Sequence, residues 1–228
     1  SDQVAVLSNI NSGSVPSPDG FVFIDTETTG LGGAGALAFM VGLGWFDRQG
    51  DFEVHQCFLR SPGEELAMLD AIEQMIPRNA ALVTFNGRSF DVPLLVGRYI
   101  MARRRTYLDS LPHIDLLPFA RRLWKRRLPS RSLGALEGAV LGLTREPDDV
   151  PGSLIPYLYN QYLQTGDARE MARVFYHNEQ DILSMVALAI IFARIFDSAE
   201  HSEMPSQDRL SLALWYESKD KFTDAEKA

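Results

Sequence analysis

The chain has 228 residues, of which 46% are hydrophobic and 23% charged, and its 13 Phe, 7 Tyr and 3 Trp exclude a wholly disordered protein. Cys57 is the single cysteine, which excludes an intramolecular disulfide and a thiolate metal cluster. The net charge of −8 argues by itself against a nucleic-acid partner, and the lack of a visible leader or of a long apolar run predicts a cytoplasmic protein without a membrane span.

The first quarter of the chain predicts three strands after a loose, polar lead-in over residues 1–19. Phe21–Asp25 is a short apolar run of the kind found in a buried central strand. Ala38–Phe46 and Phe52–Leu59 lie on either side of a turn at residues 47–50 and predict a β-hairpin. Three strands with such short links indicate an antiparallel meander.

After residue 60, helical and strand patterns alternate. The predicted helices begin at Pro62, at Asp91 and in the segment that carries Arg121–Arg127, and they are separated by predicted strands over 80–85 and 113–117. Three further helices are predicted over residues 132–141, 154–164 and 168–196. This order predicts an α/β fold, a mixed sheet with helices on both faces.

The last part of the chain predicts an appendage. We divide the chain into the lead-in, one domain over residues 20–198, and a polar linker with a C-terminal helix over 199–228. The segment Leu210–Tyr216 resembles the first half of a tetratricopeptide repeat, which predicts a protein partner for such repeats. An ordinary helix that packs on the domain explains the same pattern.

Paired carboxylates give the strongest functional signal. Asp25 and Glu27 follow an apolar run, and residues i and i+2 of a strand point to the same face. Two adjacent carboxylates repel each other unless a cation neutralises them or their pKa values rise, and oxygen-only ligands favour Mg²⁺ or Mn²⁺. Two solvated acids at an exposed strand end are the structural alternative.

Two later places add acidic residues. Asp91 follows a predicted buried strand, where it is either a ligand or a helix N-cap. His177 and Asp181 are four residues apart on a predicted helix and therefore share a face, either as a surface pair or as part of a site. His113 and Asp115 follow another predicted strand, where they line the cleft or satisfy internal hydrogen bonds.

Together these residues predict one site. In a mixed sheet the strand ends and helix starts that carry Asp25, Glu27, Asp91 and Asp181 can converge, and four crowded carboxylates need cations. Two divalent ions suit phosphoryl transfer, and His177 would orient or deprotonate the attacking water. Arg88–Arg131 holds 11 basic against 3 acidic residues, a net charge of +8, which predicts either an anion-binding surface or merely solvated helices.

The same residues resemble known motifs. Asp25–Leu31, with the sequence Asp-Thr-Glu-Thr-Thr-Gly-Leu, resembles the first exonuclease motif of the DEDD superfamily, which has the ribonuclease-H-like fold. Asn86–Leu95 resembles the second motif and His177–Asp181 the third. The stretch from Arg131 to Asn178 is similar to the YprB-type branch of ribonuclease-H-like proteins. The resemblance covers about residues 20–198.

The resemblance implies a five-stranded sheet whose first three strands are antiparallel, and two bound Mg²⁺ or Mn²⁺ ions. Asp25 would bridge both ions. Glu27 and Asp181 would complete one site, and Asp91 would act mainly through the second. The implied reaction is two-metal-ion hydrolysis of a 3′-terminal phosphodiester of DNA or RNA. The residues implied in substrate binding are Thr28, Gly30, Leu31, Asn86 and Phe90.

One feature departs from this family. Its members have Tyr-x3-Asp or His-x4-Asp in the third motif, whereas His177 has the spacing of the tyrosine form. Tyr176 has the longer spacing but lies on a different helix face, so both stay open as the residue that assists the water. A nucleic-acid-binding or scaffolding protein with an inactive domain is the alternative to an enzyme.

Overall fold

A five-stranded sheet forms the centre of the protein. The computed structural model describes residues 20–30, 35–146, 149–197 and 203–218, so the lead-in and Leu31 lie outside the described residues. The strands are β1 (Phe21–Thr28), β2 (Ala38–Phe46), β3 (Phe52–Phe58), β4 (Ala81–Thr84) and β5 (His113–Asp115). Their order across the sheet is β3-β2-β1-β4-β5.

The sheet is mixed, as the sequence predicts. β1 pairs with β2 and β2 with β3 in antiparallel fashion, whereas β1, β4 and β5 are parallel to one another. The antiparallel pairing of β2 and β3 follows from the tight turn between Phe46 and Phe52, which reverses the chain. The parallel part requires crossovers, which the helices after β3 and β4 supply.

The helices follow the predicted order. They are α1 (Glu65–Met75), α2 (Asp91–Met101), α3 (Leu116–Leu123), α4 (Leu133–Leu136), α5 (Ile155–Thr165), α6 (Met171–Asp197) and α7 (Ser206–Glu217). A 3₁₀ turn over Pro62–Glu64 precedes α1, and a π-helical turn over Glu137–Leu141 continues α4.

Two hydrophobic cores cover the two faces of the sheet. Val22 and Ile24 of β1 point into one core, which includes apolar residues of α1, α2 and α5. Phe23 points into the other core, together with residues of α3, α6 and α7. This alternation is the period-two pattern of a strand buried on both sides, and it confirms the predicted helices on both faces.

The predicted strand over 113–117 is too long. β5 ends at Asp115, and α3 begins at Leu116, because the carboxylate of Asp115 accepts a hydrogen bond from the backbone N–H of Leu117 and caps the helix. α3 also ends at Leu123, so Arg126 and Arg127 lie beyond it.

The last helix packs on the domain. Trp215 of α7 lies against Phe119 of α3, with ring centroids 6.0 Å apart, and Asp208 accepts a hydrogen bond from Arg127 at 2.8 Å. Whether α7 begins a helical repeat stays a prediction, as do the domain boundaries. In the part of the chain that the structure describes, no helix has the length and apolar character that crossing a membrane requires.

Candidate active site

The central strand delivers two acidic residues to one side of the sheet. Asp25 and Glu27 continue the face of β1 that carries Phe23, because alternate residues of a strand share a face. This is the face that α6 covers, and the amide of Asn178 on α6 donates from Nδ2 to Asp25 Oδ2 at 2.8 Å. The end of β1 and the helix α6 therefore lie next to each other in the fold, as the sequence predicts.

Asp91 joins them from the start of α2. It is the first residue of the helix and is only 5% exposed, and its Oδ1 accepts a 2.5 Å hydrogen bond from the hydroxyl of Thr26 on β1. The N-cap position belongs to Phe90, and no side-chain hydrogen bond caps it. Asp91 is therefore not the N-cap residue of α2, which was the alternative role that the sequence left open for it.

Internal hydrogen bonds shape the loop between β4 and α2. The carboxylate of Asp115 accepts from the backbone N–H groups of Asn86 at 2.8 Å and Arg88 at 3.2 Å. Asn86 adopts a positive φ of 70°, which suits Asn in a tight turn. His113 Nε2 lies 2.8 Å from the hydroxyl of Thr84, so His113 and Asp115 satisfy internal hydrogen bonds that hold this loop.

The residues implied in substrate binding lie near these acids in the chain. Thr28 ends β1 and donates its hydroxyl hydrogen to the carbonyl oxygen of Gly30 at 2.7 Å. Asn86 is exposed and Phe90 half-buried on the loop that precedes Asp91. Their contact with a nucleotide stays a prediction.

The buried carboxylates strongly affect one another. Burial, together with the charges of Asp181, Glu27 and Asp91, raises the pKa of Asp25 well above its ordinary value. Burial and the charges of Asp181 and Asp91 raise the pKa of Glu27 to about 8. Burial raises the pKa of Asp91 to about 6 and also raises that of Asp181. The four acids thus lie close enough to repel one another in a region with little water.

A guanidinium group lies within this acidic cluster. Arg145 binds the buried Glu137 with both ends of its fork, Nε to Oε2 at 2.7 Å and Nη2 to Oε1 at 2.5 Å. Nη2 also donates to Asp181 Oδ1, and Nη1 donates to Asp149 Oδ2 at 3.1 Å. Arg145 therefore brings a positive charge from outside α6 to the carboxylate of Asp181.

His177 lies at the edge of the same cluster. Its Nδ1 is 3.0 Å from Asp149 Oδ1 and 3.0 Å from Arg145 Nη1, and its Nε2 is 3.8 Å from Asp181 Oδ2. Nδ1 thus lies between a carboxylate oxygen and a guanidinium N–H, while Nε2 faces Asp181. An imidazole in this place can exchange a proton with a nearby water molecule.

The donor set suits a hard divalent cation. Its four carboxylates are all oxygen ligands, and the guanidinium at Asp181 shows that a cation fits beside them. Among the residues that the structure describes, however, no group of three or more Asp, Glu, His or Cys is arranged so that it could hold a metal ion as it stands. Asp25, Asp91 and Asp181 each have one carboxylate oxygen in a hydrogen bond with another side chain of the protein.

The basic segment divides into two groups. Arg98 forms an ion pair with Glu65 at 2.5 Å, and Arg127 forms one with Asp208 at 2.8 Å, so these two contribute to the fold. The side chains that remain exposed are Arg88, Arg103, Arg104, Arg105, Arg121, Arg122, Lys125 and Arg126. An anion-binding surface built from the exposed group stays a prediction.

Sequence reasoning missed Asn178, Arg145 and Asp149. Asn178 had a usable signal, because it interrupts the buried stripe that Val174 and Ile182 form four residues on either side of it. Arg145 and Asp149 belong to an irregular stretch after the π-helical turn. No spacing rule connects such a stretch with a distant helix.

Comparisons with known proteins agree with this architecture. A family model of the RNase_H superfamily matches residues 22–192. The uncharacterized protein YprB of Bacillus subtilis (strain 168) is 36% identical over 216 residues, which are 92% of this chain and 51% of YprB. The chain thus spans about half the length of that relative. The fold is similar to part of the family B DNA polymerase from the hyperthermophilic archaeon Pyrobaculum calidifontis, with a TM-score of 0.54 and 14% identity over 90% of this chain and 30% of the polymerase.

Proposed function

This chain belongs to the ribonuclease H superfamily, and on that premise we propose that it is a metal-dependent nuclease that hydrolyses phosphodiester bonds of DNA or RNA. The finer proposal is a DEDD-type 3′–5′ exonuclease of the YprB-type branch. The single observation that supports it is that burial and the charges of Asp181 and Asp91 raise the pKa values of both Asp25 and Glu27. A stable fold gains nothing from that repulsion, whereas a cation-binding site requires it.

Mg²⁺ or Mn²⁺ would be held by these carboxylates. We assign Asp25 to both of two ions, Glu27 and Asp181 to one of them, and Asp91 to the other. When bound, the ions stabilise the negative charge that develops on the oxygens of the phosphodiester. The repulsion among the acids then becomes attraction to the ions, which explains how the chain tolerates them.

His177 would hold the attacking water. When Nδ1 donates to the carboxylate of Asp149, 3.0 Å away, Nε2 is the atom that can accept a proton. Tyr176 is the alternative, since it has the other spacing to Asp181, but adjacent helix residues point about 100° apart. The contacts of His177 with Asp149 and Asp181 support the imidazole as the assisting group.

The substrate class follows from charge and resemblance. A polyanion needs cations, and the exposed basic side chains around Arg121 and Arg126 offer them on an otherwise acidic chain. The structural neighbour is a DNA polymerase, an enzyme that works on nucleic acid, and this supports a nucleic-acid substrate here. Thr28, Gly30 and Phe90 are the residues that we assign to the terminal nucleotide.

A nuclease assay with a matched pair of variants tests the proposal. The substrates are 5′-labelled single-stranded DNA and RNA oligonucleotides in Mn²⁺, with and without a phosphorothioate block at the 3′ end. The wild type should shorten the unblocked strands from the 3′ end and release nucleoside monophosphates. Asp25→Ala should lose at least about 10³-fold in rate, because several kcal/mol of charge stabilisation disappear. Asp109→Ala, which removes an exposed carboxylate, should keep the wild-type rate.

Each unfavourable result has a distinct meaning. Equal cleavage by the wild type and Asp25→Ala would overturn the assignment of the site. Cleavage of blocked strands at internal positions would support nuclease activity but overturn the proposed 3′–5′ exonuclease activity. Salt-dependent binding of the oligonucleotides without any cleavage would support the inactive, nucleic-acid-binding alternative.

A further inference from the structure

A row of three residues crosses the sheet at the level of the acidic cluster. In the strand register, Asp25 of β1 is paired with Gly42 of β2, and Gly42 is paired with Gln56 of β3. Asn178 of α6 lies over this row. It is fully buried, and its amide contacts both outer members.

Asn178 occupies the space that a side chain at position 42 would fill. A Cβ atom at this position would lie 2.3 Å from Asn178 Oδ1, closer than Cβ atoms approach other atoms in proteins, and 3.0 Å from its Cγ. Glycine is otherwise unfavourable within a strand, because it contributes no packing and loses more entropy. The close approach of α6 is therefore the reason for a glycine here.

The orientation of the Asn178 amide is fixed from both ends. Gln56 Nε2 donates to Asn178 Oδ1 at 3.0 Å and to the carbonyl oxygen of Phe175 at 2.8 Å. Asn178 Nδ2 then faces Asp25 and donates to Oδ2 at 2.8 Å. In the flipped orientation, an amide oxygen would face a carboxylate and two NH₂ groups would face each other, so both contacts would become repulsive.

One oxygen of Asp25 is thus held while the other stays available. Oδ2 is fixed by an N–H donor from a buried amide that itself cannot turn. The same hydrogen bond lowers the pKa of Asp25 and opposes the larger effects of burial and of the neighbouring acids. An acid held in this way keeps its rotamer, which a ligand shared by two ions requires.

We propose that Asn178 is a positioning residue that, supported by Gln56 and admitted by Gly42, holds the carboxylate of Asp25 in the orientation that binds divalent cations. The proposal rests on the proposed function, since Asp25 is the ligand that we assign to both ions. A merely structural role for Asn178 would stabilise the packing of α6 on the sheet without any effect on cation affinity in the folded protein.

Calorimetric titration of the metal-free protein with Mn²⁺ alone tests it. Asn178→Leu keeps the size of the side chain and removes the donor, and we expect the dissociation constant for Mn²⁺ to rise about 10- to 100-fold. Gln56→Met, which leaves Asn178 in place without its support, should change the constant in the same direction and by less. Tyr159→Phe removes a different buried hydrogen bond, 3.1 Å long to Leu59, and should leave the constant unchanged.

The double variant shows whether the two residues act in series. If Gln56 acts only through Asn178, then Gln56→Met should add nothing to Asn178→Leu, whereas independent effects would multiply. Each variant is first checked by its cooperative thermal unfolding, and Gln56→Met serves alone if Asn178→Leu does not fold, because Gln56 lies on the edge strand.

The outcomes separate this inference from the proposed function. Saturable Mn²⁺ binding by the wild type that stays unchanged in folded Asn178→Leu or, if that variant does not fold, in Gln56→Met would overturn the positioning role alone. Failure of the wild type to bind Mn²⁺ would overturn the proposed function and the positioning role together. Weakened binding in both variants, with Tyr159→Phe equal to the wild type, would support the proposal.

Discussion

The acidic cluster should make the metal-free protein less stable as the pH rises. Burial and the neighbouring Asp181 and Asp91 raise the pKa of Glu27 from 4.5 to about 8. Between these two pH values the folded protein holds a proton that the unfolded chain has lost. The free energy of unfolding therefore falls with rising pH across this window, the reverse of the usual behaviour of paired carboxylates.

The magnitude follows from the size of the pKa change. One pKa unit corresponds to about 1.4 kcal/mol, so the change at Glu27 amounts to at most about 5 kcal/mol once the pH exceeds 8. Asp91, with a pKa raised from 3.8 to about 6, adds up to about 3 kcal/mol at lower pH. A domain of this kind has about 5–15 kcal/mol in total, so the loss is a large part of its stability.

Denaturant unfolding in EDTA between pH 5 and pH 8.5 measures this effect. The wild type should lose several kcal/mol across the range. Glu27→Gln, a neutral residue of the same size, should be more stable than the wild type at pH 8.5 and show a flatter profile. Glu179→Gln removes an exposed carboxylate of α6 and should follow the wild type.

Mn²⁺ provides a second readout of the same repulsion. At 100 times its dissociation constant it should restore about 2.7 kcal/mol to the wild type at pH 8.5. Glu27→Gln should gain less, since it lacks one ligand. Identical pH profiles for the wild type and Glu27→Gln in EDTA would refute the reasoning, because the cluster would then carry no unfavourable charge.

Three further predictions concern neighbouring residues. His177→Ala should slow turnover by about 10²- to 10⁴-fold while the Mn²⁺ dissociation constant stays unchanged, and a normal rate in steady-state assays would exclude the imidazole as the assisting group. Replacing Arg121 and Arg126 by Glu should weaken oligonucleotide binding and reduce its dependence on salt, as measured by fluorescence anisotropy; an unchanged slope would mean that this surface is only solvated. Arg145→Met should lower the free energy of unfolding by about 3–5 kcal/mol, because it leaves the carboxylates of Glu137 and Asp181 without their guanidinium partner, and the added change Glu137→Leu should recover part of this loss; a double variant no more stable than Arg145→Met would contradict that cause.

Much of the fold was within reach of the sequence. The apolar run at 21–25, the hairpin pattern over 38–59 and the alternation of later elements predict the mixed sheet, because strand and helix periods are local properties of the chain. The spacing of Asp25 and Glu27 places both on one face for the same reason. The boundaries were less certain, as the strand over 113–117 shows, since a single capping bond from Asp115 begins a helix there.

The tertiary structure alone decided which groups surround the acids. Asp91 bonds to Thr26 across 65 residues of chain, and Asn178 bonds to Asp25 across 153. The guanidinium of Arg145 reaches Asp181 from an irregular segment that no periodicity describes. Local sequence patterns determine which face of a strand or helix a side chain occupies. The partner that it meets there depends on how distant elements pack, and this is set by the shape of the whole core.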